Sequence, residues 1–130
     1  MTESAQEYVP SVCNIGKAEM RIRWVIGRNA LIACLILWGA CVVFALAPPW
    51  RLLLFFPATV AAVGFLQHEW HFCARFGLGG VFNFGPNVGT TDTVEEAEYR
   101  KKDRGTALQI IGLSLLIGAA VAVAAYYIPL

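Results

Sequence analysis

The chain has 130 residues, of which 58% are hydrophobic and 15% are charged, and its mean hydropathy is +0.59. This composition is too apolar for a soluble domain of that length, so we expect a protein that lies in a lipid bilayer. The formal net charge of +1 gives no support to a nucleic-acid partner.

Three charge-free runs predict three membrane-spanning helices. The runs cover residues 29–50, 52–67 and 105–130. A helix needs roughly 20 apolar residues to cross the hydrocarbon core, so the first and third runs suffice and the second is marginal. We place the spans at about residues 27–47, 50–70 and 105–128. The predicted fold is all-α: an integral membrane helical hairpin plus a third transmembrane helix, in one domain of residues 1–130.

The basic residues lie on one side of these spans. Of the ten Lys and Arg residues, only Arg51 falls in the loop between the first two spans. By the positive-inside rule the N-terminus is cytoplasmic and the C-terminus lies outside, as in a multi-pass protein of the cell inner (plasma) membrane. We predict that Arg21, Arg23, Arg28 and Arg75 are interfacial anchors whose charged heads reach water or lipid phosphate.

The N-terminal region changes character at Asn14. Residues 1–12 are polar and lack periodicity, which predicts a mobile or partner-bound leader. Asn14 is a suitable N-cap for the helix that follows, and Glu19 lies four residues before Arg23, the spacing of a helical ion pair. We therefore expect the first span to extend a cytoplasmic helix that begins near Lys17.

The segment between the second and third spans predicts a cytoplasmic loop over residues 76–104. Its first half is rich in glycine and aromatic residues, and Phe82 and Phe84 are expected to enter the interface or cover the end of the bundle. Thr93 and Glu96 have the spacing of a capping box, which predicts a short charged helix before the third span.

The third span carries small residues at intervals of four. They are Ser114, Gly118 and Ala122. Such a ridge allows a second helix to approach closely inside a membrane. Its partner is either the hairpin of this chain or another chain.

Polar and metal-ligating side chains are concentrated where the second span ends, in HEWHFCAR. Cys13 precedes the antiparallel helix on the same predicted side of the membrane. On a continuous helix His68 and His71 share one face, and Glu69 and Cys73 share a neighbouring one. The candidate ligand cluster is therefore Cys13, His68, Glu69, His71 and Cys73.

Four interpretations of this cluster stay open. In the simplest, the second span is short and Glu69 pairs with Arg23 or Arg28 at the interface. In the second, the cysteines and histidines bind zinc or iron, and in the third a histidine is the axial ligand of a haem or chlorophyll. In the fourth, Cys73 is a sulfur-handling or redox thiol. Which cofactor or metal binds, if any, is unknown at this point.

The run NIGKAEMRIRWVIG resembles the first motif of a small bacterial inner-membrane helix-hairpin domain of unknown function, which also follows the rhodanese module in membrane-bound rhodaneses. Asn14, Gly16, Glu19, Arg23 and Gly27 fall on that motif, whereas Met20 replaces its first arginine. The segment FCARFGLGG is similar to the cysteine-containing end of the family's hairpin. Over about residues 13–80, the resemblance implies a two-helix core, dimerisation and a link to sulfur metabolism through rhodanese partners.

The charged and hydroxyl-bearing residues do not form a recognisable catalytic constellation, so an enzyme is not expected. Our leading hypothesis is a non-enzymatic, three-span membrane protein that packs against itself or against larger membrane-protein subunits. The alternative is a membrane-interface protein that binds a metal, haem, pigment or sulfur species at the cluster that includes Cys13, His68, His71 and Cys73. A transporter is a third option, which requires oligomerisation because three helices enclose no pathway.

Overall fold

The computed structural model describes residues 8–129 and is mostly helical. Its elements in chain order are α1 (Lys17–Val43), α2 (Pro48–Arg51), a 3₁₀ turn (Leu52–Leu54), α3 (Phe55–Trp70), α4 (Ala74–Gly79), β1 (Val81–Phe82), β2 (Asp92–Thr93) and α5 (Ala97–Tyr127). Three helical stretches are long and apolar enough to cross a membrane, namely Lys17–Val43, Pro48–Trp70 and Ala97–Tyr127. The three predicted helical stretches are confirmed, and the β structure of the described part consists of the small β1–β2 hairpin and two isolated bridges, Val9–Cys13 and Ile15–Asn83.

The central helix is α3, which packs against α1 on one side and α5 on the other, while direct contact between α1 and α5 is slight. The crossing of α1 and α3 is closest at two glycines. A Cβ atom on Gly64 would lie 2.6 Å from the backbone nitrogen of Gly27 and 2.7 Å from the carbonyl oxygen of Arg23. The absence of a side chain at Gly64 therefore sets how closely the two helices approach.

The small-residue ridge of α5 packs against α3 of the same chain. Ser114, Gly118 and Ala122 are all buried. A Cβ atom on Gly118 would overlap the Thr59 hydroxyl and would lie 3.0 Å from the carbonyl oxygen of Phe55. Of the two partners left open by the sequence, the ridge therefore contacts the hairpin.

The turn of the hairpin is slightly longer than predicted, because α1 ends at Val43 rather than near residue 47. Ala45 has a positive φ of 50°. The Leu46 N–H donates to the Cys41 carbonyl at 3.0 Å, which closes the helix end in a Schellman motif. Pro57 leaves the Leu53 carbonyl without its usual helical donor, and the backbone tightens there into the 3₁₀ turn, as expected for a proline inside a helix.

The charged segment before the third span is not a separate helix. It forms the first turns of α5, which runs without a break from Ala97 to Tyr127. The predicted capping box is also wrong. Thr93 pairs with Val81 in the β1–β2 ladder, and Glu96 is the N-cap without a side-chain capping bond. Because Thr93 is paired in the β1–β2 ladder, it does not cap α5.

The part of the leader that the structure describes is attached to the bundle. The Tyr8 hydroxyl and the Ser11 N–H both donate to the Asp103 carboxylate at 2.7 Å. The Tyr8 ring stacks on Phe82 with centroids 5.0 Å apart, and Phe82 in turn lies 6.0 Å from Phe84. The expectation of a mobile or partner-bound leader is therefore wrong for residues 8–12, while residues 1–7 lie outside the described part.

Candidate functional site

The second span ends at a left-handed residue, His71, with φ 54° and ψ 39°. The Phe72 N–H donates to the Gln67 carbonyl at 3.1 Å, and the His71 N–H donates to the His68 carbonyl at 3.4 Å. These two bonds form a Schellman motif, which reverses the chain direction. Phe72 and Cys73 consequently turn back under the bundle, where both are buried. The helical spacing expected for the cluster does not continue beyond Trp70.

Asn14 joins the N-terminal segment to this turn. Its Nδ2 donates to the Cys73 carbonyl at 3.2 Å, and its Oδ1 accepts from the Cys73 N–H at 2.7 Å. Its own N–H donates to the His71 carbonyl at 3.0 Å, and its carbonyl accepts from the Asn83 N–H at 3.0 Å. Asn14 therefore holds three chain segments together rather than capping α1, whose N-cap is Gly16.

A buried charged network lies beside Asn14. Glu19, which is 1% exposed, forms an ion pair with Arg23 at 3.0 Å, as the i,i+4 spacing predicts. Its other carboxylate oxygen accepts from Asn83 Nδ2 at 2.8 Å and from the Gly89 N–H at 2.6 Å. Arg23 Nη2 lies 3.0 Å from Cys73 Sγ in hydrogen-bonding geometry. The network therefore connects α1, the glycine-rich loop and the thiol.

The candidate ligand cluster is dispersed in the structure. Cys13 Sγ donates to the Ile15 carbonyl at 3.7 Å, Cys73 contacts Arg23, and Glu69 is exposed. His68 is partly buried beside Trp24, and no partner for its Nδ1 lies among residues 8–129. Over that same range no three His, Cys, Asp or Glu side chains converge as metal ligands. Burial raises the pKa of the Cys13 thiol, although its bond to Ile15 opposes that shift.

The predicted interfacial arginines divide into two groups. Arg21, Arg28 and Arg75 are exposed, and the Arg28 guanidinium lies 5.4 Å from the centre of the Trp24 ring. Arg23 instead points inward, with a side chain only 12% exposed. The predicted pairing of Glu69 with Arg23 or Arg28 is wrong, because Arg23 binds Glu19 and Cys73, and Arg28 binds its neighbour Asn29.

Asp103 is the main site residue that the sequence interpretation missed. A solvated charged face is expected there from the sequence, yet Asp103 is fully buried and binds Tyr8 and Ser11. The burial of Asp103 could have been predicted from its position, because it lies one helical turn before the buried stripe that begins at Ala107. Burial raises the pKa of the Tyr8 phenol, and the hydrogen bond to Asp103 and the charge of that carboxylate raise it further.

Comparison with known proteins does not assign the chain to a family. No protein-family model matches the chain, and no curated protein or solved structure shows detectable similarity to it. The resemblance of residues 14–27 to a helix-hairpin domain therefore stays an expectation.

Proposed function

We propose that this chain is a non-enzymatic, multi-pass membrane protein that acts by helix packing, as a homo-oligomer whose subunits meet through α1. The bilayer is its surroundings, and nucleic acid is not among its partners. The alternative is that the chain packs as an accessory subunit of a larger membrane complex, and the experiment below distinguishes this from a homo-oligomer. The observation that carries the proposal is the unpartnered face of α1.

The charges of the two bundle ends support the orientation that we propose. The buried polar network and nine of the ten basic residues lie at one end or in the loops joined to it, and Arg51 lies at the other end. The positive-inside rule then favours a cytoplasmic N-terminus and an outer C-terminus. We therefore propose the cell inner (plasma) membrane as the location.

The unpartnered face belongs to α1, the least buried of the three long helices. Only 11% of the most apolar window of α1 is buried, compared with 33% for Pro48–Trp70 and 28% for Ala97–Tyr127. Ile32, Ile36 and Val43 are 47%, 68% and 77% exposed and lie on one side of α1. Gly39 lies on the same side, and a Cβ there would have no atom within 4 Å.

An open glycine within a membrane helix favours a helix partner. Glycine costs about 1 kcal/mol relative to alanine in a helix interior, and packing inside this chain does not offset that cost at Gly39. A small residue allows the backbone of another helix to approach closely. The face is apolar and uncharged, so the same face of a second copy matches it in an isologous contact.

The test is the Gly39→Ile variant, with Gly112→Ile as the matched control. Gly112 is also a helical glycine at which an added Cβ would have no atom within 4 Å, but it lies on α5. Light scattering in mild detergent and cross-linking of Ile36→Cys in native membranes should show oligomers for the wild type and the control, and monomers for Gly39→Ile. A stoichiometric larger partner that is lost only with Gly39→Ile would instead indicate the accessory subunit. A monomer that copurifies with nothing would contradict the proposal.

The contact between Cys73 and Arg23 favours a second candidate function. Both side chains line a lateral cleft of about 350 Å³ whose lining includes Arg75. Because Arg23 is paired with Glu19, the Arg75 guanidinium supplies the net positive charge of the cleft, and that charge attracts anions. Among the metal, haem, pigment and sulfur alternatives, this contact best supports binding of a small anionic sulfur species next to Cys73.

Charge-matched thiol reagents test this second function. With the other three cysteines replaced by alanine, Cys73 should react faster with anionic iodoacetate, relative to neutral iodoacetamide, than a free thiol does. Arg75→Gln should lower that ratio, whereas Arg21→Gln should not, because Arg21 is exposed outside the cleft. Equal ratios in all variants would remove the candidate.

A further inference from the structure

We propose that the groove between α1 and α5, at the end of the bundle opposite the polar network, binds an anionic phospholipid. The Arg51 guanidinium would hold the phosphate of the headgroup, and an acyl chain would lie between the two helices. This inference is independent of oligomerisation through α1 and of the Cys73 cleft.

Arg51, the last residue of α2, is buried against the end of α5. It is 7% exposed, and its Nη1 donates to the carbonyl oxygens of Ala125 at 3.1 Å, Tyr126 at 3.4 Å and Ile128 at 2.9 Å. Ala125 and Tyr126 provide two of the last carbonyls of α5, which lack helical donors and carry the negative end of the helix dipole, and Ile128 is the C-cap residue that follows. The contacts fix the guanidinium firmly against the end of α5.

The other edge of the same guanidinium has no hydrogen-bond partner among residues 8–129. Nε is buried without a partner, and the hydrogen bonds within residues 8–129 give none to Nη2. Nε and Nη2 form the planar fork that binds a phosphate or carboxylate through two parallel bonds. No Asp or Glu occurs in residues 29–66 or 104–129, which supply this end of the bundle. The fork and its charge therefore lack an anionic side chain.

The space beside Arg51 is a cleft of about 660 Å³, and its lining includes Val42 and Ile128. A second groove, of about 290 Å³, lies between Cys34 and Trp38 of α1 and the last turns of α5, and Ile128 lines it too. Cys34, Trp38 and Val42 follow one another at intervals of four on α1, so the two spaces lie end to end along one helix face.

The chemistry of the combined groove matches an amphiphile. A cation lies at the outer end, and apolar side chains line the inner part. An inorganic anion would satisfy the fork and leave the apolar groove open, whereas an uncharged chain would leave the buried charge unpaired. A phosphate-bearing lipid satisfies both parts at once, and its headgroup would lie at the membrane surface where the proposed orientation places Arg51.

The experiment is native mass spectrometry of the full chain in mild detergent, titrated with phosphatidylglycerol or phosphatidylcholine of identical acyl chains. We expect a preference for phosphatidylglycerol of about fivefold, the effect of one basic group on an anionic headgroup. Arg51→Gln should abolish the preference because it removes the charge, whereas Arg51→Lys keeps the charge but lacks the fork and should bind both lipids more weakly. Lys101→Gln, which removes an exposed charge from the first turns of α5 at the opposite end, should leave the preference intact.

A substitution that fills the apolar groove distinguishes lipid binding from binding of a free anion. It is placed so that the contacts of Arg51 with the end of α5 are kept. Ala124→Trp should weaken binding of both lipids while Arg51 keeps its contacts, because Ala124 lines only the apolar part. Equal affinity of the wild type for the two lipids would overturn the proposal. So would an unchanged preference in a folded Arg51→Gln protein, or glycerol phosphate that binds to the Ala124→Trp variant as tightly as the lipid binds to the wild type.

Discussion

The substitution Gly64→Ala tests the closest helix crossing of the bundle. A methyl group there would lie 2.6 Å from Gly27 N and 2.7 Å from Gly27 Cα, whereas relaxed contacts between carbon atoms are about 3.5–4.0 Å. The obstructing atoms are backbone, so no side-chain rotation relieves the overlap, and α1 must move away from α3 by roughly 1 Å. Because α1 also carries Arg23, the movement strains the contact with Cys73.

The magnitude follows from two opposing terms. Overpacking of this kind costs about 1–3 kcal/mol, while replacing a helical glycine with alanine gains up to about 1 kcal/mol. We expect Gly64→Ala to lose about 1–2 kcal/mol of unfolding free energy. Gly112→Ala, where a methyl group meets no atom within 4 Å, should lose nothing or gain up to about 1 kcal/mol.

Reversible unfolding by SDS in mild detergent, followed by far-UV circular dichroism, measures both variants against the wild type. The reasoning would be refuted if Gly64→Ala were as stable as Gly112→Ala, because the two backbones would then not approach each other at this point.

Two further predictions concern the polar end of the bundle. Glu19→Ala leaves the buried Arg23 charge without its partner and should cost about 3–5 kcal/mol in the same titration, and a loss below about 1 kcal/mol would show that the ion pair is not buried. Tyr8→Phe removes the bond to Asp103 and should cost about 1 kcal/mol near neutral pH. Because the folded Tyr8 has a raised pKa, its contribution to wild-type stability is present below pH about 10, the pKa of an unfolded tyrosine, and falls as the pH rises above it. Denaturant titrations between pH 8 and 11 should therefore show a smaller alkaline loss for Tyr8→Phe, and parallel curves would contradict the assigned shift.

Much of the helical framework could be predicted from the sequence because it depends on local patterns. The charge-free runs located three long helices, the i,i+4 spacing located the pair of Glu19 and Arg23, and the intervals of four located the ridge at Gly118. Each of these signals is contained within one helix. The physical cause of each signal is either burial of one helix face or contact between adjacent turns, and both act within one or two turns.

The polar end was harder to predict because its contacts join distant segments. Asn14 pairs with Cys73 across 59 positions, and Tyr8 pairs with Asp103 across 95. The helix ends at Trp70 through a left-handed His71, without the glycine or proline that usually marks such an end. The helical spacing that would bring His68 and Cys73 to neighbouring faces is therefore not realised.

The central claim is that the three long helices cross a bilayer with the polar network on the cytoplasmic side. The test replaces the four native cysteines by alanine and introduces one cysteine at a time, at Lys17, Trp50 or Lys102. Sealed, right-side-out vesicles that contain each variant are then treated with a membrane-impermeant maleimide. All three positions are exposed. Only the cysteine at position 50 should react before the vesicles are opened, and those at 17 and 102 should react afterwards. Labelling of positions 17 and 102 from opposite sides, or release of the protein from the membrane by alkaline carbonate, would contradict the account.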